Sequence, residues 1–161
     1  MVVTGISRFP VHHCAMNRPS PLPLVYSCSG CSSAAQLANH LAVRLDRAGL
    51  AEMSCIAGVG GNVPALVALA RKAALAGRPI LAIDGCALAC ARACLQQRGL
   101  APAEHVQLAE DRVRNACRHD FDRDLAERLY ERLAKRAAQL RGFSPGRSSD
   151  QAAPTRRTAP P

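Results

Sequence analysis

Apolar residues along this chain fall into two rhythms. Short unbroken runs, Leu24 to Tyr26 and Pro79 to Ile83, are bounded by small or turn-forming residues, the pattern of strands buried on both faces of a parallel sheet. After each run, apolar side chains recur three and four apart, as on one face of a helix. The first such stripe is Leu37, Ala38, Leu41, Leu45 and Ala48, stopped by Gly49. The second is Leu66, Val67, Ala70 and Ala73, closed by Gly77, and the last is Leu125, Leu129, Leu133 and Leu140. The pattern predicts a second strand within Glu52 to Val59, a short fourth strand at His105 to Leu108, and a helix from about Cys86 to Gln97 ended by Gly99.

Local residues punctuate these elements. Ser32 or Ser33 is placed to cap the first helix, Asn62 the second with Pro64 tolerated in its first turn, and Asp122 and Asp124 open the last. The glycines of GVGG (58–61) read as a tight turn. Strands alternating with helices at this length form βαβ units, hence a parallel sheet with right-handed crossovers. The fold class expected is α/β, a Rossmann-like three-layer sandwich.

The flanks lack this rhythm. Residues 1–22 hold Pro10, Pro19 and Pro21, develop no apolar period and read as a flexible leader without the apolar core of a secretion signal. From Gly142 onward Pro, Gly, Ser, Arg and Ala dominate, so 142–161 reads as a disordered basic tail, leaving 23–141 as the folded domain. No stretch approaches the roughly 20 apolar residues of a membrane span, and a cytoplasmic setting is expected.

Composition narrows the function classes. The net charge of +9 is uneven, ten of the twenty-one Lys and Arg lying in residues 118–161. That distribution reads as a solvated helix face plus a basic tail capable of non-specific contact with RNA or phospholipid, not as a nucleic-acid-binding function. Aromatic residues make up only 3% with no Trp, which excludes a base-stacking platform for single strands.

Eight cysteines in 161 residues change the picture most. Cys28, Cys55 and Cys86 each fall where a predicted strand runs out, and in a parallel α/β sheet those strand ends form the ligand crevice. Two of them open clusters, Cys28-x2-Cys31 and Cys86-x3-Cys90-x3-Cys94. Four thiolates at ~2.3 Å make a closed tetrahedral site for zinc, with neighbouring sulfurs under ~4 Å apart. If both were helical, Cys86 and Cys94 would be separated by ~12 Å of rise, too far to share an ion unless Cys86 bends back into the preceding loop. The expected tetrad is therefore Cys28, Cys31, Cys86 and Cys90, with Cys55 in reserve. Cys94 and Cys117 read as small core residues, and Cys14 lies in the leader.

Other signals are weaker. A CxxC between strand and helix also reads as a thiol-redox pair with Cys28 attacking, and an iron–sulfur cluster would use the same four thiolates. GVGG could cradle an anion at the following helix, although it is no dinucleotide or P-loop fingerprint. Asp84 reads as a helix cap, ahead of an acceptor behind the metal ligands or a general base near the metal. His105, and His119 with Asp120, read as solvent-exposed residues. No catalytic constellation or substrate is identifiable, and whether the chain is an enzyme stays open.

The segments VYSCSGCSSAAQLAN (25–39), EMSCIAGVGGNVPALV (52–67) and PILAIDGCALACARACL (79–95) together resemble the DGC-domain family, described as zinc-binding. Its defining Asp-Gly-Cys is here Asp84-Gly85-Cys86, with Ala87 where a proline commonly follows. The likeness covers about residues 24 to 122. It implies a small bacterial or archaeal cytosolic protein of unknown activity, with four chelating cysteines at Cys28, Cys31, Cys86 and Cys90. The family's zinc attribution itself rests on the cysteine pattern.

Overall fold

Strands β1 (Leu24–Ser27), β2 (Glu52–Met53), β3 (Ile80–Asp84) and β4 (Glu104–Gln107) form one all-parallel sheet in the order β2-β1-β3-β4. The structure, a computed structural model, describes residues 21–141; most of the predicted leader, Cys14 and the basic tail lie outside the described residues. Alternation along the two central strands sorts side chains onto two faces. Val25, Leu81 and Ile83 pack under helices α1 (Ser33–Arg47) and α5 (Arg123–Arg141). Leu24, Tyr26, Ile80 and Ala82 pack under α2 (Ile56–Gly60), α3 (Pro64–Leu75) and α4 (Cys90–Gln96). This is the expected three-layer α/β architecture.

The small residues of the helices allow this close packing. Ala34, Ala38, Ala42 and Ala70 are fully buried, and wherever a larger side chain is needed Leu37, Leu41, Leu45 and Leu133 supply it. Helix α1 opens as expected on Ser32, whose hydroxyl accepts from the Ala35 N–H, and it ends before Gly49 at a φ of +66°. At α5 the Asp122 carboxylate accepts from the Leu125 N–H at 2.9 Å.

Three local expectations are overturned. The strand expected within 52–59 is present at Glu52–Met53, but Ile56 and Val59 beyond it are three apart and turn inward together on α2. The GVGG segment therefore ends a helix instead of starting one. The last carbonyls of that helix accept from Arg98, which donates from Nε to Val59 O at 3.0 Å and from a terminal nitrogen to Gly60 O at 2.7 Å. A cradle for anions is thus replaced by a cation-capped C-terminus. Asn62 does not cap α3; it takes a left-handed φ of 60°, and Val63 precedes Pro64 at the helix start.

The third concerns the cysteine segment. Helix α4 begins at Cys90, not Cys86, and Cys86 to Ala89 form a turn in which Ala89 adopts a left-handed φ of 49°. Among the described residues no helix is long and apolar enough to cross a membrane.

Candidate metal centre

The chain leaves β1 toward β2 on one side, then returns past it to β3 on the other. The connections therefore diverge between β1 and β3, and the crevice at the carboxyl ends of those strands is where parallel α/β sheets take ligands. Cys28 follows β1 and Gly85-Cys86 follows β3 at that point. The Cys28 N–H continues the ladder to Ile83 O at 3.0 Å, and the Gly85 N–H donates to the Cys28 Sγ at 3.1 Å. The Asp-Gly-Cys turn is thereby tied to the CxxC turn through one thiol.

Gly85 is required by this approach. A Cβ there would lie 2.5 Å from the Ala34 carbonyl carbon, and the obstacle is α1 backbone, which cannot swing aside.

Asp84 is fully buried yet saturated with donors. One carboxylate oxygen accepts from the Ala91 N–H at 2.8 Å, the other from the Arg92 N–H at 3.1 Å. These amides are free donors of the first turn of α4, whose N-cap Ala89 offers no side-chain acceptor. Asp84 therefore caps α4 from across the Cys86–Ala89 turn. The second oxygen also lies 3.0 Å from Nε2 of His105, whose Nδ1 is 3.4 Å from an Arg92 guanidinium nitrogen. His105 is consequently a largely buried partner of Asp84, not the solvent-exposed residue its sequence position suggested. No sequence signal announces the pair: it arises because β4 lies beside β3 in parallel register, Ala82 opposite His105 and Asp84 opposite Gln107.

The thiols differ sharply in environment. Cys28 is buried, and burial pushes its thiol up to about 11; the Gly85 N–H works against this, while Asp84, Cys86 and Cys90 add to it. Cys90 is exposed as a residue, but partial burial of its thiol, followed by Asp84, Cys86 and Cys94, also raises its pKa. Cys28 is tied to the Asp84-Gly85-Cys86 turn through the Gly85 N–H, and Cys90 opens the helix that Asp84 caps. Cys31 is exposed on the turn after β1, and Cys55 is exposed at the start of α2.

Of the two cysteines read as core residues, Cys94 is half-buried with its Sγ packed against Gly60, whereas Cys117 is exposed, its backbone forming an antiparallel bridge with Ser32.

The chemistry of the donor set suits a thiophilic cation: a buried Cys28 thiol at the strand ends, tied to the turn that carries Cys86, with Cys90 opening the next helix. Its positions are not those of a closed site. Among the described residues, no three His, Cys, Asp or Glu side chains stand close enough to hold a metal ion. A tetrahedral complex requires the candidate thiols to draw closer together.

Residues 24–133 match the DGC domain. Over 115 residues the chain is 56% identical to the anaerobic and virulence modulator AnvM of Pseudomonas aeruginosa, covering 71% of this chain and 85% of that protein. No solved structure matches.

Proposed function

Because the chain belongs to the DGC-domain family, we propose that it is a zinc-binding protein of the bacterial cytoplasm, its ion held by Cys28, Cys31, Cys86 and Cys90 with Cys55 in reserve. The observation that carries this reading is the Gly85 N–H donating to the Cys28 Sγ at 3.1 Å, which ties the Asp-Gly-Cys turn to the CxxC turn at the point where β1 and β3 diverge. A four-thiolate zinc ion supplies folding energy and a closed-shell charge centre.

This chain's own residues prepare the site. The buried Cys28 thiol holds its proton in the metal-free chain, and the Gly85 N–H pointing at its sulfur stabilises the thiolate that binding would create. Asp84 and His105 hold the amino end of α4, fixing Cys90, while the left-handed Ala89 lets Cys86 lie off the helix and turn toward Cys28.

A dithiol oxidoreductase using Cys28 is the second reading. It needs an attacking thiol of lowered pKa, and burial drives Cys28 the other way. An iron–sulfur cluster would employ the same sulfurs and is distinguished by its colour.

Zinc titration of the reduced chain against a chromophoric chelator tests the proposal. One tightly bound equivalent is expected, lost in Cys86→Ser and unchanged in Cys117→Ser. Absence of saturable binding, or wild-type binding by both Cys86→Ser and Cys90→Ser, would overturn it.

A further inference from the structure

Before α5 the chain runs through a loop, residues 112–122, that packs on the first turns of α1 and α5. It encloses a cavity of about 500 Å³, which none of the candidate metal ligands lines. Small-ligand sites have this size, ~300–1,000 Å³, with an apolar wall and a few convergent polar groups. Leu37, Val113, Phe121 and Leu125 supply the wall here, and all four also pack in the core under α1 and α5. One arm of the loop is held firmly. The Ser33 hydroxyl donates to Arg114 O at 2.7 Å and accepts from the Ala116 N–H at 3.1 Å, and the Ser33 N–H donates to Ala116 O at 2.8 Å.

The charges lining the cavity are sorted by arm. Residues 112–116 bring Arg112 and Arg114, and residues 119–122 bring Asp120 and Asp122. Among the described residues neither guanidinium has an ion pair or hydrogen bond, and no Arg–Asp pair spans the cavity. Asp111, next to Arg112 in the chain, is already paired with Arg132. One oxygen of Asp122 accepts from the Leu125 N–H at 2.9 Å, and Asp120 has no partner among the described residues. Two planar donor forks and two carboxylates are therefore available over one apolar wall. A guanidinium fork matches a carboxylate, and a carboxylate accepts from an ammonium.

We propose that this cavity binds a small zwitterion with an apolar side chain, an aliphatic or aromatic α-amino acid. Its carboxylate meets Arg112 and Arg114, its ammonium meets Asp120 and Asp122, and its side chain covers the apolar wall. Simpler ligands fit less well. An inorganic anion leaves that wall uncovered and faces two carboxylates. An apolar acid without an amine faces the same carboxylates, and an apolar amine faces two arginines. The site is independent of the zinc reading, since it shares no proposed ligand with it.

Calorimetric titration of the full chain as purified, with L-leucine and L-phenylalanine, tests the inference. Each is compared with analogues lacking one charge: isocaproate and isoamylamine for leucine, hydrocinnamate and phenethylamine for phenylalanine. At least one amino acid is expected to saturate a single site, with both of its analogues about tenfold weaker or more, the scale of one charged hydrogen bond. Arg114→Gln and Asp120→Asn change exposed side chains, so each should weaken that amino acid about tenfold with an unchanged urea midpoint. Arg128→Gln, a charge loss outside the cavity, should leave affinity as it is. No saturable binding of either amino acid, an amine-free analogue binding as tightly as its parent, or wild-type affinity in both Arg114→Gln and Asp120→Asn would overturn the proposal.

Discussion

Replacing Asp84 by alanine should be the most damaging single change of a polar residue in this domain. Its carboxylate is fully buried, accepts from two backbone amides at 2.8 and 3.1 Å, and pairs with His105 at 3.0 Å. Hydrogen bonds to a charged group contribute about 1.5–3 kcal/mol each, and a buried donor left without a partner costs about 1–3 kcal/mol. Removing the carboxylate strands the Ala91 amide in the interior, exposes the Arg92 amide to partial loss, and orphans the inner edge of the His105 ring. Relief of the desolvation of the buried charge offsets part of this, so the net loss should be about 3–5 kcal/mol, the range found when one partner of a buried pair is removed. Asparagine keeps one acceptor of similar shape, and its loss should be smaller, about 1–3 kcal/mol. The assay is urea unfolding of the metal-free chain in chelator, so that no loss is attributable to a ligand. The midpoint should fall in the order wild type, Asp84→Asn, Asp84→Ala with little change in slope. A stability for Asp84→Ala within about 1 kcal/mol of wild type would refute the claim that this carboxylate holds the start of α4.

Three further outcomes follow from the same contacts. The Cys28 thiol, raised from 9.0 to about 11, binds its proton more tightly folded than unfolded, so its contribution is present below pH 9 and is lost as pH rises through 11. A gap of roughly two pH units corresponds to about 3 kcal/mol, and urea midpoints at neutral and strongly alkaline pH should diverge less in Cys28→Ser than in wild type. Gly85→Ala drives a Cβ against the backbone of Ala34 and should cost at least about 3 kcal/mol, read as a large fall in thermal midpoint; a wild-type midpoint would show that α1 yields. Arg98→Ala removes two donors from the last carbonyls of α2 and should cost about 2 kcal/mol, with amide exchange accelerating in residues 56–60 before the rest of the sheet.

The order and type of the main elements are written in short-range patterns. The apolar run of Ile80–Asp84 and the Leu stripe of α5 carry their periodicities within a few residues, and Ser32 and Asp122 cap helices by contacts three residues long. The departures all depend on distant partners. Ile56 and Val59 suit strand or helix equally in isolation, and only packing against Tyr26 and Ala70 decides. Cys86 stays off α4 because Asp84 caps the helix four residues later, a choice that local propensity does not encode. Of the candidate site, the placement of Cys28 and Cys86 at strand ends was legible, since β-strand termini and turns are local. The Asp84–His105 pair was not, because twenty residues and a crossover separate its members. Nor was the packing of Cys94, which depends on the absence of a side chain at Gly60 in another helix.

The central claim is that these thiols form a zinc centre. Metal analysis and the ultraviolet–visible spectrum of protein purified anaerobically, without a metal-affinity tag, test it most directly. About one zinc per chain in a colourless protein is the result expected. Iron with sulfide and a brown colour, or no metal with every thiol freely titratable, would contradict it.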